Sequence, residues 1–223
     1  MIYPDELEQA KEDIRKNLLI YTRQALDSLP EMDEPDILDI GCGSGVPTIE
    51  LSRLTAGHII AIDIDDKALD IFRENVKALG INDRIEIIHC SMFDLDFPVA
   101  SFDIIWGEGS IAFIGFENGL RTWRKFLRPG GFLVVHDDIS ESSTKMERIG
   151  PSGYELVNHF KLSREVWWRL YYEPLEKKVE GIFERTKSKL ILSKLNREKK
   201  EIETAKNNPG RCESIYYIMK KVG

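Results

Sequence analysis

The sequence predicts an α/β fold: a seven-stranded, mostly parallel sheet with helices on both faces. Three observations predict it. Short apolar runs alternate with helix-period segments from residue 36 to about 139, the pattern of successive βα units. The first run, Ile37-Leu38-Asp39-Ile40, passes directly into Gly41-Cys42-Gly43-Ser44-Gly45, a turn with glycine at every second position that feeds a helix N-terminus. Two further strand-like runs, 153–160 and 212–219, bracket a long helical stretch near the C-terminus.

Each element has its own signal. Residues 5–29 read as one N-terminal helix, because Leu7, Ile14, Leu18, Tyr21, Ala25 and Leu29 recur at mostly helical spacing and Pro30 lies just beyond. Strand one is 36–40, a helix covers 46–54, and strand two is 58–63. Residues 66–79 form an amphipathic helix with Gly80 as its cap. Strand three is 84–90 and strand four 102–106. A helix over 115–127 ends at Pro129-Gly130-Gly131, and strand five is 132–136. Between strands six (153–160) and seven (212–219), two or three helices span 164–207.

At 223 residues and 42% hydrophobic content the chain suits one domain, residues 1–223. No apolar run is long enough for a bilayer, so no membrane partner is expected. Met1-Ile2-Tyr3-Pro4-Asp5-Glu6 lacks a signal-peptide pattern, which makes a cytoplasmic location the expectation. A net charge of −7 weighs against duplex nucleic acid. The basic run 187–200 is interleaved with acids and reads as a solvated helix face. Cys42, Cys90 and Cys212 are scattered, so free thiols and no metal are expected.

The glycine turn is where function becomes legible. Gly41, Gly43 and Gly45 let a ligand lie almost against the backbone. Asp63, at the end of strand two, is placed to accept both hydroxyls of a ribose. A nucleoside-bearing cofactor follows. Val46 stands where the dinucleotide fingerprint needs a small residue, and Asp39 would repel a pyrophosphate. S-adenosylmethionine, with a sulfonium, an ammonium and no phosphate, suits the same acid.

Asp39-x-Gly41-x-Gly43-x-Gly45, Asp63 in Ala-Ile-Asp-Ile-Asp, Ser101-Phe102-Asp103-Ile104-Ile105-Trp106 and Leu127-Arg128-Pro129-Gly130-Gly131-Phe132 together resemble the class I S-adenosylmethionine-dependent methyltransferases, over roughly residues 35–139. Trp106 to Leu120 resembles a group of small, uncharacterised bacterial and archaeal methyltransferases with Trp-x-Glu-Gly after strand four. The resemblance implies a Rossmann-like sheet in which strands six and seven form a hairpin with seven antiparallel. It sets the insertion 164–207 over the active site as the substrate-selecting element, with the N-terminal helix as a further wall.

It also implies roles. The three glycines shape the pocket for the methionine half, and Asp39 orients their backbone or reaches the ammonium. Asp63 takes the ribose, and Ile64 packs on adenine. The family's acid for the adenine amine is replaced here by Ser91, so Ser91 and the Met92 backbone are the candidates for that contact, with Asp94 a substitute. Methyl transfer from a sulfonium needs alignment and exclusion of water, and a base only if the nucleophile must lose a proton. Glu108 is the candidate catalytic carboxylate: it binds an amine, acts as a base or touches the cofactor ammonium.

His136 and Asp138 end strand five as substrate contacts. Asp137 and Asp138 are adjacent in a strand and point to opposite faces, so one metal ion is not expected between them. Trp168 and Tyr172 form an aromatic wall around a flat or cationic substrate, or anchor the insertion. Glu108 and Glu117 have the spacing of a guanidinium-holding pair, a reading set aside because Glu117 suits a helix first turn. The expected partner is a small-molecule acceptor. The alternatives are a protein substrate, a non-catalytic cofactor-binding regulatory module and, third, an NAD oxidoreductase.

Overall fold

A computed structural model describes residues 6–208 and 212–223. The strands are β1 (Ile37–Ile40), β2 (Ile59–Asp63), β3 (Ile85–His89), β4 (Phe102–Glu108), β5 (Leu127–Asp138), β6 (Tyr154–Leu162) and β7 (Ser214–Lys221). They form one sheet in the order β3-β2-β1-β4-β5-β7-β6. β1 is parallel to β2 and β4, β2 to β3, and β4 to β5, while β7 runs antiparallel between β5 and β6, as the hairpin expectation requires. The chain leaves β1 in one direction across the sheet and returns to β4 on its other side. The crevice at their carboxyl ends is the topological switch point where open α/β sheets bind ligands.

The chain divides into two compact units. One comprises residues 21–161 and 215–223, the other the described residues among 6–20 and 162–214. In the sheet unit, Leu38, Ile40, Ile62, Ile105, Leu133 and Val135 pack on one face with Phe116, Leu120, Trp123 and Ile149. By strand alternation Asp39, Asp63, Trp106, Glu108 and His136 lie on the other face. The helices of this unit include α3 (Val46–Leu54), α4 (Asp66–Leu79), α5 (Ile111–Ile114), α6 (Phe116–Trp123) and α7 (Ser142–Ile149). Asp65 caps α4 by accepting from the amides of Lys67 and Ala68, and Gly80 closes it at φ +66°.

The helical unit holds α1 (Glu6–Arg15), α8 (Arg164–Trp167), α9 (Glu173–Arg185) and α10 (Lys189–Asn207). A π-helical stretch, Trp168–Tyr172, joins α8 to α9. Its core is Leu7, Ile14, Tyr171, Leu175, Val179, Ile182, Leu195 and Ile202.

Four expectations change. The N-terminal helix is interrupted by a tight 3-10 turn at Lys16–Leu18, after which α2 (Leu19–Leu26) begins; residue 5 lies outside the described residues. β4 extends to Glu108, which is therefore a strand residue and not part of a loop. The helix expected at 115–127 gives way at Leu127, because Pro129-Gly130-Gly131 sits inside β5, where the pairing with β4 slips between Phe102 and Ile104. α7 carries no strong periodic signal and was not foreseen.

Candidate functional site

The strand register builds a row of side chains along the carboxyl edge. Ile40 pairs with Ile62 and Asp39 with Trp106, so the next positions along each strand bring Asp63, Gly41 and Glu108 into line. Glu108 pairs with His136 on β5. With strands about 4.8 Å apart, Asp63 and Glu108 lie two strands and about 10 Å from one another, on one face, with the glycine turn between them.

The three glycines are there for different reasons. Gly41 has φ +79°, and a Cβ on it would stand 2.5 Å from Ser110 Cβ; Gly45 has φ +80°, and its Cβ would stand 2.1 Å from the Phe72 ring. Both are demanded by protein packing. Gly43 has φ +54° with no atom within 4 Å of its missing Cβ, so its side of the loop faces open space. Its amide donates to Asp63 Oδ2 at 2.8 Å, and the Asp65 amide donates to Oδ1 at 2.9 Å. Each Asp63 oxygen retains a lone pair for a hydroxyl donor.

Asp39 is buried and accepts from Thr48 Oγ1 at 2.6 Å, a residue of α3. Burial pushes its carboxyl up to about 7; the Thr48 bond opposes this, and the charges of Glu108 and Asp63 add to it. Among the described residues neither Asp39 nor Glu108 has a cationic partner. Ser110, 3% exposed and packed under Gly41, has a hydroxyl with no hydrogen-bond partner. A buried orphan hydroxyl and acidic side chains with no cationic partner, around a glycine turn open on the Cα side of Gly43, fit a cationic ligand rather than a phosphate.

Beyond Asp63, Ile64 is 69% exposed. Ser91 Oγ accepts from the Phe93 amide at 3.2 Å, which shapes the turn after β3. The Met92 side chain is partly buried against the main core. Phe93, 65% exposed, stands beside them. It is an aromatic candidate for adenine that sequence reasoning passed over; an apolar residue directly after the family's adenine-reading position was the available signal.

On the other side, Glu108 Oε1 accepts from Trp106 Nε1 and from Thr22 Oγ1, both at 2.9 Å, and the Tyr216 hydroxyl also bonds the carboxylate. Burial raises its pKa and these three bonds restrain the rise. His136 stacks on Tyr216, centroids 4.2 Å apart and 8° between planes, and Phe160 stacks on the other side at 4.9 Å. Burial pushes the His136 imidazole down to about 3, so the ring is neutral. Thr22 and Tyr216 were not foreseen, because a lone threonine in a helix and a tyrosine in a strand carry no local functional signal. Thr22 belongs to α2, which Arg23 also ties to Glu50 of α3 at 2.5 Å. That part of the N-terminal helix is thus a wall of this site.

The remaining candidates have partners of their own. Asp137 is buried and ion-paired with Lys145 at 2.7 Å, and Lys145 also reaches Asp138 at 3.6 Å. Glu117 faces Arg148 at 3.8 Å, on a helix packed against the opposite face from Glu108. The two glutamates are not a pair. Trp168 and Tyr172 lie in the helical unit, stacked at 6.2 Å, partly buried against its core, with Lys206 Nζ 5.3 Å from the Trp168 ring. Among the described residues no group of three or more His, Cys, Asp or Glu is placed to hold a metal ion, and no helix is long and apolar enough to cross a membrane.

Comparison with known proteins bears on the family and the fold. Residues 37–131 match the methyltransferase domain family. The ribosomal protein L11 methyltransferase of Pelobacter propionicus is 35% identical over 152 residues, covering 67% of this chain and 46% of that protein. The 27-O-demethylrifamycin SV methyltransferase of Amycolatopsis mediterranei is 29% identical over 102 residues, covering 45% of this chain and 38% of that one. This chain therefore spans less than half the length of either relative. The crystal structure of the [4+2]-cyclase SpnF superposes with a TM-score of 0.76 at 18% identity, over 92% of this chain and 81% of that one. At that identity the likeness speaks for the fold alone.

Proposed function

We propose that this chain, which belongs to the class I S-adenosylmethionine-dependent methyltransferases, transfers a methyl group from S-adenosylmethionine to a small-molecule acceptor. One observation carries the reading. The glycine turn lies between Asp63 and Glu108, open on the Cα side of Gly43 and packed at Gly41 on Ser110, whose hydroxyl is an orphan, with no cationic side chain among the described residues on Asp39 or Glu108.

In this reading Asp63 holds the ribose hydroxyls while fixing the Gly43 amide. Ile64, Phe93 and the Ser91–Met92 backbone border the adenine. Gly41, Gly43, Gly45 and Ser110 receive the methionine half, and Asp39 supports that segment through Thr48. The cofactor, when bound, supplies a methyl group already activated by its sulfonium. What remains for the protein is to align an acceptor and exclude water. Glu108 and His136 are assigned the acceptor side. Because His136 is neutral, it can accept or donate a hydrogen bond without adding charge. Trp168 and Tyr172 are kept as candidates for acceptor choice on the ground of the density of aromatic residues around them in the sequence. A small acceptor is favoured over a protein or nucleic acid by the chain's net charge of −7 and the absence of a basic stripe in the sequence.

Calorimetry with S-adenosylmethionine, S-adenosylhomocysteine and NAD tests the cofactor; tighter binding of NAD than of either adenosyl ligand would overturn it. Incubation with methyl-labelled cofactor and a cell extract separated by size tests the rest. Label in the low-molecular-mass fraction is expected. Label in protein would replace the small-molecule reading, and label nowhere would favour a regulatory module.

A further inference from the structure

Glu108 is held more firmly than a carboxylate awaiting a cofactor alone requires. Three donors from three separate parts of the sheet unit converge on it: Thr22 from α2, Trp106 from its own strand and Tyr216 from β7. The Tyr216 ring is clamped between His136 and Phe160, so its hydroxyl has one direction to point. Trp106 and Tyr216 are almost fully buried, at 0% and 1% exposure, whereas Glu108 keeps part of its surface open. A carboxylate that accepts three neutral donors stays an acceptor with lone pairs to spare. No lysine or arginine among the described residues neutralises it. On the acceptor side its neighbour in the row is His136, which offers a neutral ring. A carboxylate flanked by aromatic rings and free of cations receives a positively charged nitrogen better than any anion.

We propose that Glu108 is fixed by Thr22, Trp106 and Tyr216 to hold a basic nitrogen at the point where donor methyl and acceptor meet, so that the acceptor is an amine: its ammonium passes one proton to the Glu108 carboxylate, which frees the nitrogen lone pair to take the methyl group while the sulfur leaves as a neutral thioether. Thr22 and Tyr216 are positioning residues that act through Glu108. The inference rests on the cofactor assignment above and adds to it the acceptor's chemical class.

The test uses binding, so the acceptor need not be known. Sinefungin carries an amino group where the donor methyl would be, on a carbon that replaces the sulfur, and S-adenosylhomocysteine has a neutral sulfur with no such group. The full chain should bind sinefungin about tenfold or more tightly than S-adenosylhomocysteine, the scale of one charge-assisted hydrogen bond. Glu108→Gln should bring the two affinities level while leaving S-adenosylhomocysteine binding close to that of the parent. Tyr216→Phe keeps the ring stack and removes only the hydroxyl; it should reduce the preference for sinefungin part of the way, as should Thr22→Val. Equal binding of the two ligands by the parent, or a preference that survives Glu108→Gln, would overturn the proposal. Failure of both ligands to bind would instead refute the cofactor assignment. If Glu108→Gln does not fold, Tyr216→Phe alone decides: an unchanged preference in that variant overturns the positioning role and the proposal with it.

Discussion

Asp39→Asn separates a buried acid that waits for a cationic ligand from one that is simply a satisfied structural group. In the ligand-free fold the Asp39 carboxyl is 2% exposed, and burial raises its pKa from an ordinary 3.8 to about 7. Below pH 3.8 the folded and unfolded chains both carry the proton. Between 3.8 and about 7 the unfolded chain releases it and the folded chain keeps it, so the folded state loses stability as pH rises through that window. At about 1.4 kcal/mol for each pH unit, the interval amounts to about 4 kcal/mol at its largest. Asparagine has nothing to ionise and still offers Thr48 an acceptor oxygen. Urea denaturation of parent and variant without cofactor, at pH 4.5 and pH 8, gives the comparison, and titrating groups that do not interact with Asp39 cancel in the difference. The variant should gain on the parent by a few kcal/mol between the two pH values, and the parent should recover most of that gap when S-adenosylmethionine is added at pH 8. A parent-to-variant difference that does not move with pH would refute the reasoning, since it would mean that Asp39 ionises as freely in the fold as in the unfolded chain.

Other substitutions probe the same edge. Asp63→Ala should weaken S-adenosylmethionine binding about ten- to hundredfold by calorimetry, with an unchanged circular dichroism spectrum; parent-like affinity would remove Asp63 from the ribose role. Gly45→Ala drives a Cβ to 2.1 Å from Phe72 at φ +80° and should cost about 3 kcal/mol in a thermal or urea melt, whereas Gly43→Ala meets no atom and should cost only about 1 kcal/mol. The order reversed would contradict the packing argument. His136, with its pKa pushed down to about 3, should show no imidazole titration by NMR between pH 7 and 5. The unfolded chain takes up that proton below 6.5, so the contribution of His136 to stability is lost as pH falls from 6.5 toward 3; a ring titrating near 6.5 would count against its burial. Tyr217→Phe removes a buried hydroxyl that has no partner and should leave stability equal or slightly higher.

What the sequence determined by itself was local. Gly41, Gly43, Gly45, the acid at Asp63 and the cap at Gly80 are read from their neighbours in the chain, because a turn, a strand end and a helix stop are each set by a few adjacent residues. The apolar runs Ile37–Ile40 and Ile59–Asp63 likewise follow from their own composition. The tertiary structure decided which distant residues share a surface. Gly41 and Gly45 proved to be packing requirements of Ser110 and Phe72, lying 69 and 27 positions further on, while Gly43 alone opens to space. Glu108, read as a loop residue, became the end of β4, because pairing with β5 extends the strand to its partner His136. Its three donors come from positions 22, 106 and 216, separations that no periodicity or motif encodes. They meet because parallel pairing stacks strand ends in register and because β7 inserts between β5 and β6, carrying Tyr216 into a row that only the assembled sheet contains.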